Sequence, residues 1–452
     1  MYELQKPYTL KGSLFFSTTV QILKNPVNFL SGLTKTREPV VIVHFAGKKY
    51  YIIQHPDYVK HILVDNYKLY QKLDATKLLR SFLGEGLATS NGDLWVRQRK
   101  IMQPTFYRNR LEHIIEIINQ ETLLFIETLR KLPDNTKVNI THCLLPLTIT
   151  IISRAIFSSS LKPEMNKMVE TLESLAQYAS SSMKSFIKIP MSWPTPANNR
   201  FRKNSQHFND IIYSIIKERR DEITVSDVEY NDILDMLVHS CDEENKLYMS
   251  DEQIRDEVTT LFMAGHETTA QAISWILYHL ADENILHKKI KEETTNLPGR
   301  KLSKAEDLAK LPFTAQVINE ALRCYPPIWA ALRTSLADDK IDSLNIPAGS
   351  NVLINIYGLH HHPGYWKNPD DFDPTNFNSL EKKQSNYVFL PFGAGARHCL
   401  GDNFAMLVIN IIIIQLVQAF NFSVPAEFIP EIEPNITLRA KGGIELLIKK
   451  SS

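Results

Sequence analysis

The stretch Phe392 to Gly401 reads F-G-A-G-A-R-H-C-L-G, and an apolar segment that reads as a helix starts immediately after it. No other stretch constrains this chain as tightly. Gly393 and Gly395 can take positive φ and let backbone N–H groups approach a neighbouring atom closely. Cys399 falls beside the N-terminus of the helix that follows, where the helix dipole favours thiolate over thiol. The thiolate is the form that binds metal. Taken alone, one cysteine in a glycine-rich loop also reads as a small buried hydrophobe, so the rest of the chain has to decide.

Length and composition narrow the setting. A chain of 452 residues would by length suggest two or three domains, but no Gly/Ser run, low-complexity tract or repeat interrupts it, so residues 1–452 read as one domain. A hydrophobic content of 44% is ample for a large core. Lys and Arg number 51 against 50 Asp and Glu, which excludes a global nucleic-acid footprint. The cysteines Cys143, Cys241, Cys324 and Cys399 are scattered and form no C-x-x-C pair, which argues against a disulfide framework or zinc site and for a reducing compartment. Between Met1 and Leu30 no apolar run is long enough for a signal peptide or membrane span, which predicts a soluble cytoplasmic protein with no membrane anchor.

The periodicity predicts a mainly α fold with a small β-rich lobe. Glu38 to Gln54 reads as a hairpin turning at A-G-K-K. Helical patterns run over Leu111–Leu132, Leu144–Ile156, Glu164–Met183, Asn204–Glu222 and Asn231–Cys241. Strand signals return after Ile328, in S-N-V-L-I-N-I and in N-I-T-L-R-A-K-G-G-I-E-L-L-I, which reads as a last hairpin. Residues 223–230 and 242–246 are acidic connectors, and Pro190 to Asn199 separates two helices.

Ser250 with Gln253 forms a capping box opening a helix that runs to about Ala281, roughly 45–50 Å at 1.5 Å per residue. Near its middle lies A-G-H-E-T-T, Ala264 to Thr269, where Gly265 and the threonines weaken helical preference. A buried helix using a glycine for close packing would read the same way. Glu320 and Arg323 in E-A-L-R share one face of a helix that Tyr325-Pro326-Pro327 stops. Trp95 and Arg99 stand one turn apart on another. His360, His361 and His362 cannot easily chelate one ion, because adjacent side chains on extended chain point to opposite faces.

The pattern Phe392-x-x-Gly395-x-Arg397-x-Cys399-x-Gly401 resembles the haem-binding loop of the cytochrome P450 superfamily of haem-thiolate monooxygenases, and the landmarks above extend that resemblance over essentially the whole length. The resemblance implies the cytochrome P450 fold and a haem b whose axial ligand is the Cys399 thiolate, with Phe392, Gly393 and Gly401 shaping the loop. It makes Glu267 and Thr268 the acid and alcohol that serve dioxygen, in a groove opened at Ala264 and Gly265. Trp95, Arg99, Arg333 and Arg397 match contacts to the haem propionates. Glu320 and Arg323 match a buried structural ion pair, but in F-D-P-T-N-F the position where the family usually has arginine is Asn376. The segment from Pro190 to Asn199 would belong to the lid over substrate.

By the same resemblance, substrate would meet Leu83, Leu87 and Ala88, Phe262, Met263 and Ala264, Ile328, Ala330, Ala331 and Ile436. Nearly all are apolar, which implies a hydrophobic substrate. The segments P-T-P-A-N-N-R-F-R and I-I-Y-S-I-I-K-E-R-R resemble family branches that include lipid and terpenoid hydroxylases, which implies a lipid, terpenoid or polyketide class. One oxygen atom of dioxygen would enter a C–H or C=C bond. Few residues follow Cys399, so electrons from NAD(P)H would come through a separate ferredoxin, flavodoxin or flavoprotein reductase. Arg97, Lys100, Arg108 and Arg110 form a basic face that would steer it. Two alternatives stay open: a peroxide-driven peroxygenase or isomerase on the same fold, and a non-catalytic haem ligand-binding protein.

Overall fold

The computed structural model describes residues 8–9, 15–45, 47–73, 77–107, 112–158, 171, 174–175, 178, 190–225, 232–242, 247–378 and 387–451. The helix expected over Glu164–Met183 lies largely outside them, as do most of the acidic connectors, Arg108 and Arg110. Eight helices matter for the site: α1 (Gly92–Met102), α2 (Glu112–Arg130), α3 (Ile140–Phe157), α4 (Pro196–Val225), α5 (Asp251–Gly265), α6 (Glu267–Asp282), α7 (Pro312–Cys324) and α8 (Asp402–Ala419). The strands that flank it are β1 (Tyr8–Thr9), β2 (Val40–Phe45), β3 (Lys48–Ile53), β4 (Tyr70–Lys72), β5 (Ala331–Ser335), β6 (Asn351–Ile354), β7 (Ile432–Pro434) and β8 (Leu438–Ala440).

The helical body forms because α8 is apolar on every side, with Ile409, Ile411, Ile412, Ile413 and Ile414 all buried, so it can only sit at the centre. It packs against α2 and α6, and α3 packs against α5 and α6. Both α3 and α8 are long and apolar enough to cross a membrane, and both are mostly buried inside the protein. The β-rich lobe is a six-stranded sheet in the order β1-β2-β3-β6-β5-β4. The hairpin read from Glu38 to Gln54 forms its second and third strands, with Val40 opposite Ile53 and Phe45 opposite Lys48.

Two boundaries differ from the sequence reading. Helix α4 begins at Pro196, inside the proline-rich break, because a proline at the first helical position lacks only an N–H that has no partner there anyway. The last apparent hairpin divides between two sheets. Leu438–Ala440 pairs with Ile432–Pro434, whereas Glu445–Lys450 joins Phe420–Ser423 and Thr136–Asn139. Gly442 (φ 73°) and Gly443 (φ 85°) redirect the chain between them, with Asn139 Nδ2 donating to Gly442 O at 2.7 Å.

Candidate active site

The Cys399 loop is fixed by its own backbone. Cys399 N–H donates to Phe392 O at 2.8 Å and His398 N–H to Gly395 O at 3.0 Å. Gly393 and Gly395 adopt φ 73° and 67°, and a Cβ on Gly395 would lie 1.9 Å from Leu63 O, so only glycine fits that approach. Cys399 itself is exposed. Even so, surrounding protein desolvates the thiol and pushes it up to about 11, against the Gly401 N–H and the Arg99 charge that favour thiolate. Metal coordination removes such a proton outright.

Arg99 Nη1 donates to His398 O at 2.8 Å, bracing the loop from α1 on the side of the sulfur. Arg397 lies 4.2 Å over the Trp95 ring and donates from Nη2 to Ser90 O at 3.1 Å and Asn91 Oδ1 at 2.9 Å. Its Nη1 is buried with no hydrogen-bond partner. Arg333 is buried and donates to its neighbour's carbonyl, Leu332 O, at 2.9 Å. Burial lowers both arginines to about 10.

Lys72, which the sequence reading missed, completes this group. Its Nζ donates to Ala88 O at 2.7 Å, and burial, then Arg397 and Arg333, push it down to about 7. Among the described residues no carboxylate forms an ion pair with Lys72, Arg333 or Arg397. Three desolvated cations together are costly unless anions join them. Two carboxylates on a planar cofactor answer that need, so the residues present fit a haem held by its propionates. No pattern marks Lys72 in the sequence, since it meets the arginines only when β4 pairs with β5.

On the other side, the long helix divides where A-G-H-E-T-T predicted weakness. Helix α5 ends at Gly265 and α6 starts at Glu267, and the capping box at Ser250 is intact. Ala264 is exposed on a stretch whose neighbours are mostly buried. Thr268 Oγ1 donates to Ala264 O at 2.6 Å. Glu267 is buried and turns elsewhere: it accepts from Thr437 Oγ1 at 2.9 Å and pairs with Arg439. His266 is buried, its Nδ1 2.8 Å from Phe262 O.

The apolar residues assigned to substrate separate into two groups. Leu87, Ala88, Met263, Ala330, Ala331 and Ile436 are half-buried, and Ile328 is exposed. Leu83 and Phe262 instead belong to the packed core, with the Phe262 ring 5.7 Å from that of Phe157. Consecutive helical residues point about 100° apart, so Phe262, Met263 and Ala264 cannot all present one face. That phase turns Phe262 away from the side on which Ala264 is exposed.

The structural residues assemble as expected, with one substitution. Glu320 and Arg323 are fully buried, joined by two hydrogen bonds of 2.8 and 2.7 Å. Arg323 also donates to the carbonyls of His360, Pro369 and Asp371. Asn376 Nδ2 reaches Glu320 Oε1 at 3.2 Å, so an amide supplies the contact without a third charge. The three histidines are structural: His360 Nε2 accepts from Leu390 N at 2.8 Å, His361 stacks on Tyr357, and His362 Nδ1 accepts from Gly364 N at 3.0 Å. Arg97, half-buried, donates to the neutral amide Gln253 Oε1 at 3.0 Å.

A helical body with a six-stranded lobe, and a cysteine loop opposed by cations suited to propionates, define the haem-thiolate class of protein. The sequence model described as Cytochrome P450 matches residues 4–447, and the chain belongs to that family. It is accordingly a haem b oxidoreductase of the monooxygenase kind. The human ultra-long-chain fatty acid omega-hydroxylase is 30% identical, over 88% of this chain and 79% of its own length. Leukotriene-B4 omega-hydroxylase 3 of Mus musculus is 31% identical, over 83% of this chain and 75% of its own. The crystal structure of the cytochrome P450DA heme domain superposes with a TM-score of 0.88 at 23% identity, covering 99% of this chain and 98% of that one, which shows the fold.

Proposed function

We propose that this single-domain protein hydroxylates C–H bonds of long apolar lipids, with Cys399 as the axial ligand and Trp95, Arg99, Arg333, Arg397 and Lys72 holding the haem. The observation that carries this reading is the desolvated group of Lys72, Arg333 and Arg397, which has no ion-pair carboxylate among the described residues, together with an exposed Cys399 on a loop whose close approach at Gly395 admits only glycine. The lipid class is supported by the two relatives named as omega-hydroxylases of fatty acid and leukotriene. Small side chains at Ala88, Ala264 and Ala330 leave width for a chain to reach the iron end-on.

Bound haem supplies dioxygen activation, one oxygen atom entering the C–H bond and the other leaving as water. The chain's own residues do the rest. Arg99 and the Gly401 N–H stabilise the Cys399 sulfur in its anionic form. Thr268 Oγ1, whose proton goes to Ala264 O, would offer its lone pairs as a hydrogen-bond acceptor beside the haem, and Glu267 would move protons from the β7–β8 side. Electrons from NAD(P)H come from a separate ferredoxin, flavodoxin or flavoprotein in the cytoplasm. The accompanying acid–alcohol pair favours this over a peroxide-driven reaction.

A titration of the haem spin state with saturated fatty acids, terpenoids and polyketides tests the reading. Fatty acids should give the high-spin shift and, with a reductase system, hydroxylated product. Absence of any fatty-acid shift while another class binds would overturn the lipid assignment. Cys399→Ala should abolish the red-shifted Soret band of the reduced CO complex, and an unchanged band would refute the ligand assignment.

A further inference from the structure

The chain from Gly84 to Ser90 lies directly against α5. Gly84 has φ +64°, and a Cβ there would sit 2.2 Å from the Asp256 carboxylate; one on Gly86 would sit 2.3 Å from Thr260 Oγ1 and 2.7 Å from Asp256 O. Two consecutive carboxylates of α5 accept amides from this segment. Asp256 Oδ2 takes Glu85 N–H at 2.7 Å and Glu257 Oε2 takes Leu87 N–H at 2.9 Å. The opposite edge is tied to the cofactor side, where Lys72 Nζ donates to Ala88 O at 2.7 Å and Arg397 Nη2 to Ser90 O at 3.1 Å. Gln98 Nε2 donates to Glu85 O at 2.6 Å between them. The segment is a strap from α5 to the cation group.

Helical phase says which side of α5 the strap covers. Glu257 precedes Ala264 by seven residues, so the two fall within about 20° of each other in projection, roughly 10 Å apart along the axis. The stripe that exposes Ala264 and carries Thr268 thus continues to Glu257, and the strap holding Leu87 and Ala88 crosses it there. Glu257 is a costly way to satisfy one amide. It is fully buried, its Oε1 has no hydrogen-bond partner, and burial pushes its carboxyl up to about 8. Such a cost is consistent with a requirement for position rather than stability.

We infer that Glu257, flanked by Asp256, is a positioning residue that fixes Leu87 and Ala88 above the haem and so sets the width of substrate the enzyme admits. The inference rests on the haem site proposed above, not on the lipid class. Glu257→Gln keeps an acceptor oxygen for Leu87 N–H, and Glu257→Leu removes it.

The test uses holoenzymes matched for the reduced CO band. Affinities for imidazole and for 4-phenylimidazole, which both bind haem iron and differ in width, are read from the Soret shift. Amide hydrogen exchange of residues 84–90 is followed in parallel. In Glu257→Leu the ratio of the two affinities should change about tenfold, equivalent to roughly 1.4 kcal/mol, and exchange in the segment should quicken about tenfold; Glu257→Gln should stay within about twofold of wild type on both. If Glu257→Leu fails to take up haem, Gly86→Ala carries the same expectation, since its Cβ would push the strap off α5. A wild-type ratio and wild-type exchange in the haem-loaded variant would overturn the inference, as would equal weakening of both ligands. A spin shift with fatty acids is measured alongside. If none occurs even in wild type while the azole ratio moves, the lipid reading fails and the positioning role stands.

Discussion

Thr437 Oγ1 donates a 2.9 Å hydrogen bond to Glu267 Oε1, across 170 residues of sequence. Arg439 pairs with the same carboxylate. Both partners flank the start of β8, directly after Ile436, which the sequence places against substrate. The acid next to Thr268 is therefore held by the hairpin whose tip would touch substrate. A proton moving through Glu267 has to pass a carboxylate already engaged by a hydroxyl and a guanidinium.

Removing the acid should separate proton supply from haem binding. Glu267→Gln should keep the reduced CO band and lower kcat by roughly 100-fold or more, the scale of a lost acid–base group, with an enlarged solvent isotope effect. Thr437→Val leaves Arg439 in place and should cost only a few-fold on the same scale. Wild-type kcat and isotope effect in Glu267→Gln would show that protons reach the site by another path.

Thr268 has a different task. Its hydroxyl donates to Ala264 O at 2.6 Å, which orients the oxygen lone pairs off the helix. Thr268→Ala should leave haem content and the CO band unchanged but divert reducing equivalents to hydrogen peroxide. Product formed per NADPH consumed should fall about tenfold or more. Full coupling in the variant would remove Thr268 from the mechanism.

The parts of this site legible in the sequence are those whose chemistry is local. The turn at Gly393 and Gly395, the break at Gly265 and the spacing of Glu320 and Arg323 each depend on neighbours a few residues away, and each formed as expected. Lys72 and Glu257 were not legible, because each acquires its role from a loop or strand far along the chain. The separation of Phe262 from Ala264 was contained in the sequence, since helical rotation turns residues two apart to opposite sides. The final strands were read as one hairpin because pattern reveals alternation and not partner, and Gly442-Gly443 sends the two halves to different sheets.

The Glu320–Arg323 pair predicts unequal costs for its members. Both side chains are fully buried, so Arg323→Leu strands a buried carboxylate and should cost about 3–5 kcal/mol, with loss of haem retention. Asn376 contributes one 3.2 Å amide bond to Glu320, and Asn376→Ala should cost only about 1–2 kcal/mol. Urea midpoints of the two variants and the wild type, all in the haem-free form, measure the difference. Equal losses would mean that Asn376, despite its neutral side chain, matters to Glu320 as much as Arg323 does.

Acid sensitivity should trace to buried neutral histidines. His279 is stacked on Phe372 at 3.8 Å, and burial holds it down at about 3; burial likewise lowers His361 to about 4. In the unfolded chain both titrate near 6.5. Between these values the unfolded state binds more protons, so stability must rise with pH there and fall as pH drops. It is fully present above about 6.5 and lost progressively down to the folded values, on the order of 4 kcal/mol for a shift as large as that of His279. His279→Gln should therefore flatten the decline of the urea midpoint between about pH 6.5 and 4, although it lowers stability at neutral pH by removing the stack. An unchanged slope would place the acid-labile protons at other groups.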